Sequence, residues 1–341
     1  MRSFSLARAV AAGAIVLALA GGTAAAEPFR LITTDLETAL VPNSVMDLAE
    51  RLGYFDREGV DVEIVRVQQT PSAVAALQAG EGEMANISLA SALQIVAQNQ
   101  LDIRAVTSPN KYLPYVIVAK DDIKSIEDLA GRSFGVGRVG SLDYSLSSMV
   151  MAAAGFSMDK TEVVAIGQPA ARGQALAAGQ IDATTMSIGV WMGIPDKTGL
   201  HILVNVEDYA SAAPVVNKVN VVPVSVLENR RADVEAVVRA LTKASRDFNN
   251  DPSIWVNAMV EARPDVPREN LEFLGKTFQG SWSVNGGMNA KELQFSEDES
   301  YKDDDLAGLP KVDLAQWADF SVADAVVKAL GIDSSSDEPA R

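Results

Sequence analysis

Two stretches of the chain repeat one another. LQAGEGEMANIS begins at Leu77 and LAAGQIDATTMS at Leu176; Leu77/Leu176, Ala79/Ala178, Gly80/Gly179 and Ser88/Ser187 fall in step. Upstream, Gln69 and Gln168 keep the same offset. A unit that recurs with its neighbours in the same order points to a duplicated supersecondary structure.

The neighbours agree. In the first copy FRLITT (Phe29–Thr34) reads as a short apolar strand. Val45, Leu48, Ala49 and Leu52 recur at helical spacing over 43–52, and Gly53 stops that helix. VDVEIVRV (Val60–Val67) alternates apolar and polar residues as a half-buried strand does. Thr70 as N-cap and Pro71 at the first helical position open a helix that Gly80 closes, and Glu83–Ser88 is a third strand. The second copy runs in parallel: a strand SFGVGR from Ser133, a helix Leu142–Ala154 capped by Ser141, and a strand EVVAI (Glu162–Ile166). A helix Ala170–Ala178 and a strand Ile181–Ser187 complete it. Each half is β-α-β-α-β, so the fold class is α/β, each lobe a mostly parallel sheet flanked by helices. Ligands of open α/β sheets bind beyond the carboxyl ends of the strands. Two such sheets set face to face share one cleft, with Ser88 and Ser187 on opposite walls.

The remainder completes a lobe. Asn220–Val226 reads as a strand crossing back, Arg231–Asn249 as a helix, and Asp251-Pro252 as the start of another that Arg263-Pro264 breaks. GSWSVNGGMN (Gly280–Asn289) reads as a loop and SEDESYKDDD (Ser296–Asp305) as a solvated one, without the D-x-D-x-D-G pattern of a calcium loop. Leu314–Leu330 is a final helix and Asp333–Arg341 a frayed polar tail.

A length of 341 residues suits two lobes. Arg2 and Arg8, the apolar run Ala9–Ala20 and the small residues up to Ala26 form the pattern of a cleaved signal peptide over 1–26. That run is shorter than a membrane span requires. Loss of its two arginines takes the formal charge from −16 to −18, which argues against nucleic acid as a partner. Cysteine is absent, so thiolate chemistry, disulfides and a lipidated N-terminal Cys are excluded, and the expected compartment is the periplasm of a Gram-negative cell.

Four segments carry a family resemblance: GYFDREGVDVEIV (Gly53–Val65), ALQAGEGEMA (Ala76–Ala85), SIEDLAGRSFGV (Ser125–Val136) and ALAAGQIDA (Ala175–Ala183). In this order they are similar to segments of the periplasmic binding proteins of the nitrate/sulfonate/taurine class, which includes thiamine-pyrimidine-precursor binders. The resemblance implies the two-lobed periplasmic-binding-protein-like fold, its lobes joined by two crossing segments near Tyr112–Tyr115 and Pro214–Asn220. It places lobe 1 at 27–113 and 215–341 and lobe 2 at 114–214. It implies a monomer that captures a small solute, closes by a hinge, and delivers it to the transmembrane permease subunits of an ABC importer. The chain departs from the pattern after the second strand, where Gln68 to Ser72 replaces glycines, and after Ala183, where Met186 to Trp191 lacks the acid and proline of many members.

Helix N-termini hold anions without Lys or Arg, so Gln69 and Thr70, Ser88 and Ser91, Ser141, Gln168 and Ser187 are ligand candidates. Thr34 and Asp35 follow the first strand; Asp35, Asp143, Tyr112 and Trp191 suit an amine or a flat heterocycle. Arg138 and Arg172 suit a carboxylate or sulfonate. The ligand's charge stays open between these sets. GVGRVG (Gly135–Gly140) fits G-x-G-x-x-G, but its following strand ends without the acid of a dinucleotide site, so no cofactor is expected. His201 is the sole histidine and reads as a packed or surface imidazole, and neither H-E-x-x-H nor G-x-S-x-G occurs. Enzymes of the related pyrimidine-synthesising branch use cysteines and an active-site histidine, which disfavours catalysis here. An α/β enzyme with carboxylate chemistry and a sensory module presenting ligand to a receptor are the alternatives.

Overall fold

The computed structural model describes residues 27–68, 70–109, 114–139, 142–302 and 304–339. Residues 1–26, with the signal-peptide reading, and the candidates Gln69, Tyr112 and Ser141 lie outside them. Among the described residues ten strands form two five-stranded sheets. β1 (Phe29–Thr33), β2 (Val62–Arg66), β3 (Met84–Ser88) and β4 (Ile103–Thr107) belong to the first sheet. β5 (Tyr115–Lys120), β6 (Ser133–Val136), β7 (Glu162–Ala165), β8 (Ala183–Ser187) and β9 (Leu200–Val204) make the second, and β10 (Lys218–Pro223) returns to the first. The orders are β2-β1-β3-β10-β4 and β7-β6-β8-β5-β9.

The two orders are one order written twice. β1 is parallel to β2 and β3, as β6 is to β7 and β8. In each sheet the fourth place goes to an antiparallel strand that has just arrived from the other lobe: β10 beside β3, β5 beside β8. The sheets are therefore mixed, parallel at their centres and reversed at one strand each.

The repeated stretch explains why the copies fold alike. Gly80 and Gly179 both take φ of 73°, a left-handed turn that ends the preceding helix without a Cβ penalty. Three residues later each copy has an acid. Glu83 accepts the Arg30 backbone N–H at 2.7 Å and the Arg30 guanidinium at 2.7 Å. Asp182 accepts the Ser133 N–H at 3.0 Å, the Ser133 hydroxyl at 2.8 Å and Lys120 Nζ at 2.7 Å. Each acid thus ties the third strand of its copy to the first residues of the strand beside it. Within the strands alternate residues face opposite layers: Leu31 and Met84 enter one apolar cluster, Ile32 and Ala85 another. The first of these clusters also holds Val116, Val118 and Met186, so apolar packing runs from one lobe into the other.

Burial alone would raise the Asp182 carboxyl, but its hydrogen bonds from Lys120 and Ser133 hold it down to about 2. Its stabilising contribution is complete above the ordinary value of 3.8 and is lost as pH falls towards about 2. That is worth about 2 kcal/mol. Asp182→Asn should cost about that much at neutral pH and flatten the acid limb. Urea unfolding of both proteins at pH 7 and at about pH 2.5 measures it; parallel acid limbs would contradict this account of the repeat.

The carboxyl-terminal third departs from the sequence reading in four places. Val224–Asn229 is helical, so the returning strand ends at Pro223 rather than Val226. The acidic run is not a solvated loop: Ala290–Ser300 is a helix capped by the Asn289 side chain, and Ser296, Glu297 and Ser300 are buried. Glu297 is held there by Trp317 Nε1, which donates to Oε2 at 2.7 Å. The final helix is broken. Leu314–Trp317 and Ser321–Leu330 flank a turn in which Ala318 bridges to Ala105 and Asp319 N–H donates to the Ala105 carbonyl. Up to Pro339 the tail is not frayed: Asp337 is buried and accepts the N–H groups of Asn285 and Gly287 at 3.0 and 2.9 Å. Ser336 donates to the carbonyls of Gly280 and Trp282, so the tail straps the glycine loop. That loop in turn packs on the end of β4, where Ser283 Oγ donates to the Ser108 carbonyl at 2.5 Å.

Candidate functional site

The described candidates lie at or just beyond the carboxyl ends of the strands in each lobe. In the first lobe Ser88 ends β3 and caps the helix Leu89–Ala97, accepting the Ser91 N–H at 3.2 Å and donating to Ser91 Oγ at 2.8 Å. In the second Ser187 ends β8 and caps the helix Ile188–Met192, accepting the Val190 N–H at 3.3 Å. The equivalence expected from the repeat holds down to the side-chain bond. Thr70 begins the helix Thr70–Gln78, so it lies one position further into the helix than an N-cap. Gln168 occupies the N-cap position of Pro169–Ala177 with no side-chain cap bond and is exposed.

Thr34 and Asp35 follow β1. Asn43 Nδ2 donates to Asp35 Oδ2 at 2.7 Å, so Asp35 braces its own loop. Arg66 reaches the Asp35 carbonyl at 3.2 Å and pairs with buried Asp47 at 2.6 Å. Burial raises the Asp47 carboxyl despite Arg66. Thr34 accepts a hydrogen bond from Lys218 Nζ at 2.8 Å. Lys218 was not among the sequence candidates. It begins β10, opposite Ser88 in register, and its ammonium lies 3.9 Å from Asp35 Oδ2. Burial lowers its pKa, and Asp35 opposes the shift. The one signal in the sequence is a lone cation inside the apolar run VVNKVNVV.

The second wall is built on Arg172. Its guanidinium is 3% exposed and donates to the Gly167 carbonyl, to Thr184 Oγ1 at 3.2 Å and to the Thr185 carbonyl at 3.1 Å. Asp143 Oδ2 stands 3.4 Å from the same group and accepts the Gly137 N–H at 2.8 Å. Arg172 is thereby a brace between the loops after β6 and β7 rather than a clamp open to ligand. Arg138 is exposed on the loop after β6. Trp191 is buried in the core with Lys197 Nζ 5.3 Å from its ring centroid, and Trp282 is fully buried. His201 lies on β9, in register with Ala119 and away from the crossing end of the sheet. Among the described residues no cluster of His, Asp and Glu is placed to hold a metal, and no helix is long and apolar enough to cross a membrane.

The walls approach each other. A Cβ built on Gly189, one residue into the helix after Ser187, would lie 3.1 Å from both Leu40 Cβ and the Leu40 carbonyl, on the loop after β1. Beside this contact a cavity of about 690 Å³ opens between the lobes, lined by Val116, Ile188 and Ile202 on one side and Phe273, Lys276 and Gly280 on the other. Apart from Ile188, which follows Ser187, it lies to the side of the strand-end residues.

Two duplicated lobes, crossed twice by the chain and opposed at their strand ends, define the class of two-lobed binding-protein folds. The sequence matches the NMT1/THI5 like family over residues 45–254, and the chain belongs to that family. No curated protein matches the sequence. Among solved structures it is similar to the periplasmic aliphatic sulphonate binding protein SsuA from Escherichia coli. The identity is 15% and the TM-score 0.68, over 88% of this chain and 99% of that one. The alkanesulfonate-binding protein SsuA from Xanthomonas axonopodis pv. citri, bound to MOPS, is 19% identical with a TM-score of 0.61, over 84% and 96%. The desulfurization enzyme DSZB is 16% identical with a TM-score of 0.64, over 89% and 99%. At these identities the likeness is one of fold.

Proposed function

We propose that the protein is the periplasmic solute-binding component of an ABC importer. It holds a small organic or oxyanion solute between its lobes and hands it, as a monomer, to the permease subunits. The observation that carries this reading is the matched pair of strand-end caps, Ser88 and Ser187, on walls that come within contact at Leu40 and Gly189. The lobe boundaries fall at 113/114 and 214/215, in the two crossings. Thr34, Asp35, Ser88 and Ser91 line one wall, and Arg138, Asp143, Gln168 and Ser187 the other. The name of the SsuA proteins supports a sulfonate or a related anion as the solute.

DSZB keeps an enzymatic reading in view, because the same fold supports catalysis in that protein. Here the chain has no cysteine, and His201 sits away from the crossing end of its sheet, which favours binding over turnover. The test is a thermal-shift panel of taurine, alkanesulfonates, nitrate, aromatic acids, pyrimidines and flavins, with each solute recovered and analysed afterwards. A true solute at 100 times its Kd adds about 2.7 kcal/mol to stability, which at this size is a rise of several degrees, and returns chemically unchanged. Turnover of any solute, or no shift with any, would overturn the proposal.

A further inference from the structure

The two lobes match at their strand ends except in one slot. The first residue of the returning strand stands opposite the capping serine in both sheets: Tyr115 opposite Ser187, Lys218 opposite Ser88. In the second lobe the slot is filled by a phenol ring packed 5.6 Å from Tyr209. In the first it is filled by an ammonium group. That ammonium has three donors, of which one is used among the described residues, on the Thr34 hydroxyl at 2.8 Å. Its nearest carboxylate, Asp35, stands at 3.9 Å and already accepts Asn43 on the same oxygen at 2.7 Å. The Lys218 side chain is 20% exposed, so it is largely withdrawn from water while most of its hydrogen-bonding capacity is unspent. A charge taken out of water without full pairing is destabilising. By contrast the guanidinium of Arg172 on the other wall is engaged by three protein oxygens besides Asp143.

We propose that Lys218 is the specificity-determining residue of the cleft, and that it selects solutes bearing a single negative charge by completing the coordination of its ammonium with their anionic group. The Thr34 hydroxyl stands at the same ammonium, at 2.8 Å, so the anion meets one cation and a neutral hydroxyl beside it. This favours a monoanion such as a sulfonate or carboxylate over a dianion, which needs a second cation for balance. The inference rests on the reading of the cleft as a solute site.

The test uses the full mature chain and three variants: Lys218→Met, Lys218→Arg, and Lys276→Met as a control in the side cavity. The probes are ethanesulfonate, propionate and nitrate, their neutral counterparts ethyl methyl sulfone and propionamide, and the cation propylammonium. Calorimetry gives affinities and thermal melts give stabilities. The expected result is that the unaltered protein and the control bind at least one monoanion and that Lys218→Met binds it about 100-fold more weakly. Without ligand, Lys218→Met should melt at the same temperature or higher, because it removes an incompletely paired charge; a lysine with a merely structural role would lower it. Lys218→Arg should keep part of the affinity. The inference is overturned if Lys218→Met binds the anion as the unaltered protein does, or if no monoanion binds at all. Binding of a neutral or cationic probe alone would overturn it while leaving the solute-binding reading standing; silence of every probe, with turnover, would remove both.

Discussion

Arg172→Met should lower the thermal midpoint by about 6–12 °C and weaken solute binding as well. The substitution keeps the apolar stem and removes the guanidinium. It takes a donor from the Gly167 and Thr185 carbonyls and from Thr184 Oγ1, which keeps its own bond to the Gly135 carbonyl at 2.7 Å, and it takes from Asp143 the cation 3.4 Å away. Removing one partner of a buried ion pair costs about 3–5 kcal/mol; Asp143 keeps the Gly137 N–H and some contact with water, so about 3 kcal/mol applies. In a protein of this size each kcal/mol moves the midpoint by about 2–4 °C. Arg172→Lys should fail to restore stability, because an ammonium cannot reach three oxygens fixed in the plane of a guanidinium fork. Affinity follows because the loops tied by Arg172 include Gly137 and Gly167, which carry the second wall. Scanning calorimetry with a binding titration checks both effects. A midpoint within about 2 °C of the unaltered protein would show that the network is not what holds this wall.

The second large effect concerns the contact between the lobes. Gly189→Val should weaken solute affinity by about tenfold or more while leaving unfolding nearly unchanged. The added Cβ would already sit 3.1 Å from Leu40 Cβ and its carbonyl, and two further carbons have no space on that side. Forcing extra carbons into a packed contact costs about 1–3 kcal/mol, here relieved by moving the lobes apart rather than by unfolding either one. Solution scattering should show a larger radius of gyration for the variant. Adding Leu40→Ala to it should restore both the radius and the affinity. Equal affinities for Gly189→Val and the unaltered protein would mean that the solute site does not require this approach.

Much of the frame was legible in the sequence because local rules decide it. A glycine that ends a helix and a serine cap at the strand end are short-range features, and Gly80 and Ser88 announce them as clearly as Gly179 and Ser187 do. What stayed hidden depends on distant partners. The run from Ser296 reads as solvated because its inward residues are Ser296, Glu297 and Ser300, which carry no apolar stripe; Trp317 supplies the missing partner from another element. The tail reads as free because Asp337 meets the loop N–H groups of Asn285 and Gly287, some fifty positions earlier in the chain. Ala318 breaks an otherwise helical pattern because it bridges to Ala105 on β4.

The candidate residues divide along the same line. The capping serines were found from position alone. Lys218 was not, because a lysine in a crossing segment looks like solvent exposure until β10 is seen beside β3. Arg172 and Trp191 were the reverse case. Their chemistry suits ligands, and their surroundings turn one into a brace and the other into core. Residue type proposes a role, and burial together with hydrogen-bond accounting decides it.

A solute held between strand ends that the chain built twice is the central claim. The most direct measurement is a crystal structure of the protein with a solute identified from the thermal-shift panel. The predicted result is density for that solute between Ser88 and Ser187, with its anionic group on Lys218 and Thr34. Density in the side cavity against Phe273 and Ile202, with the strand ends holding only water, would contradict it.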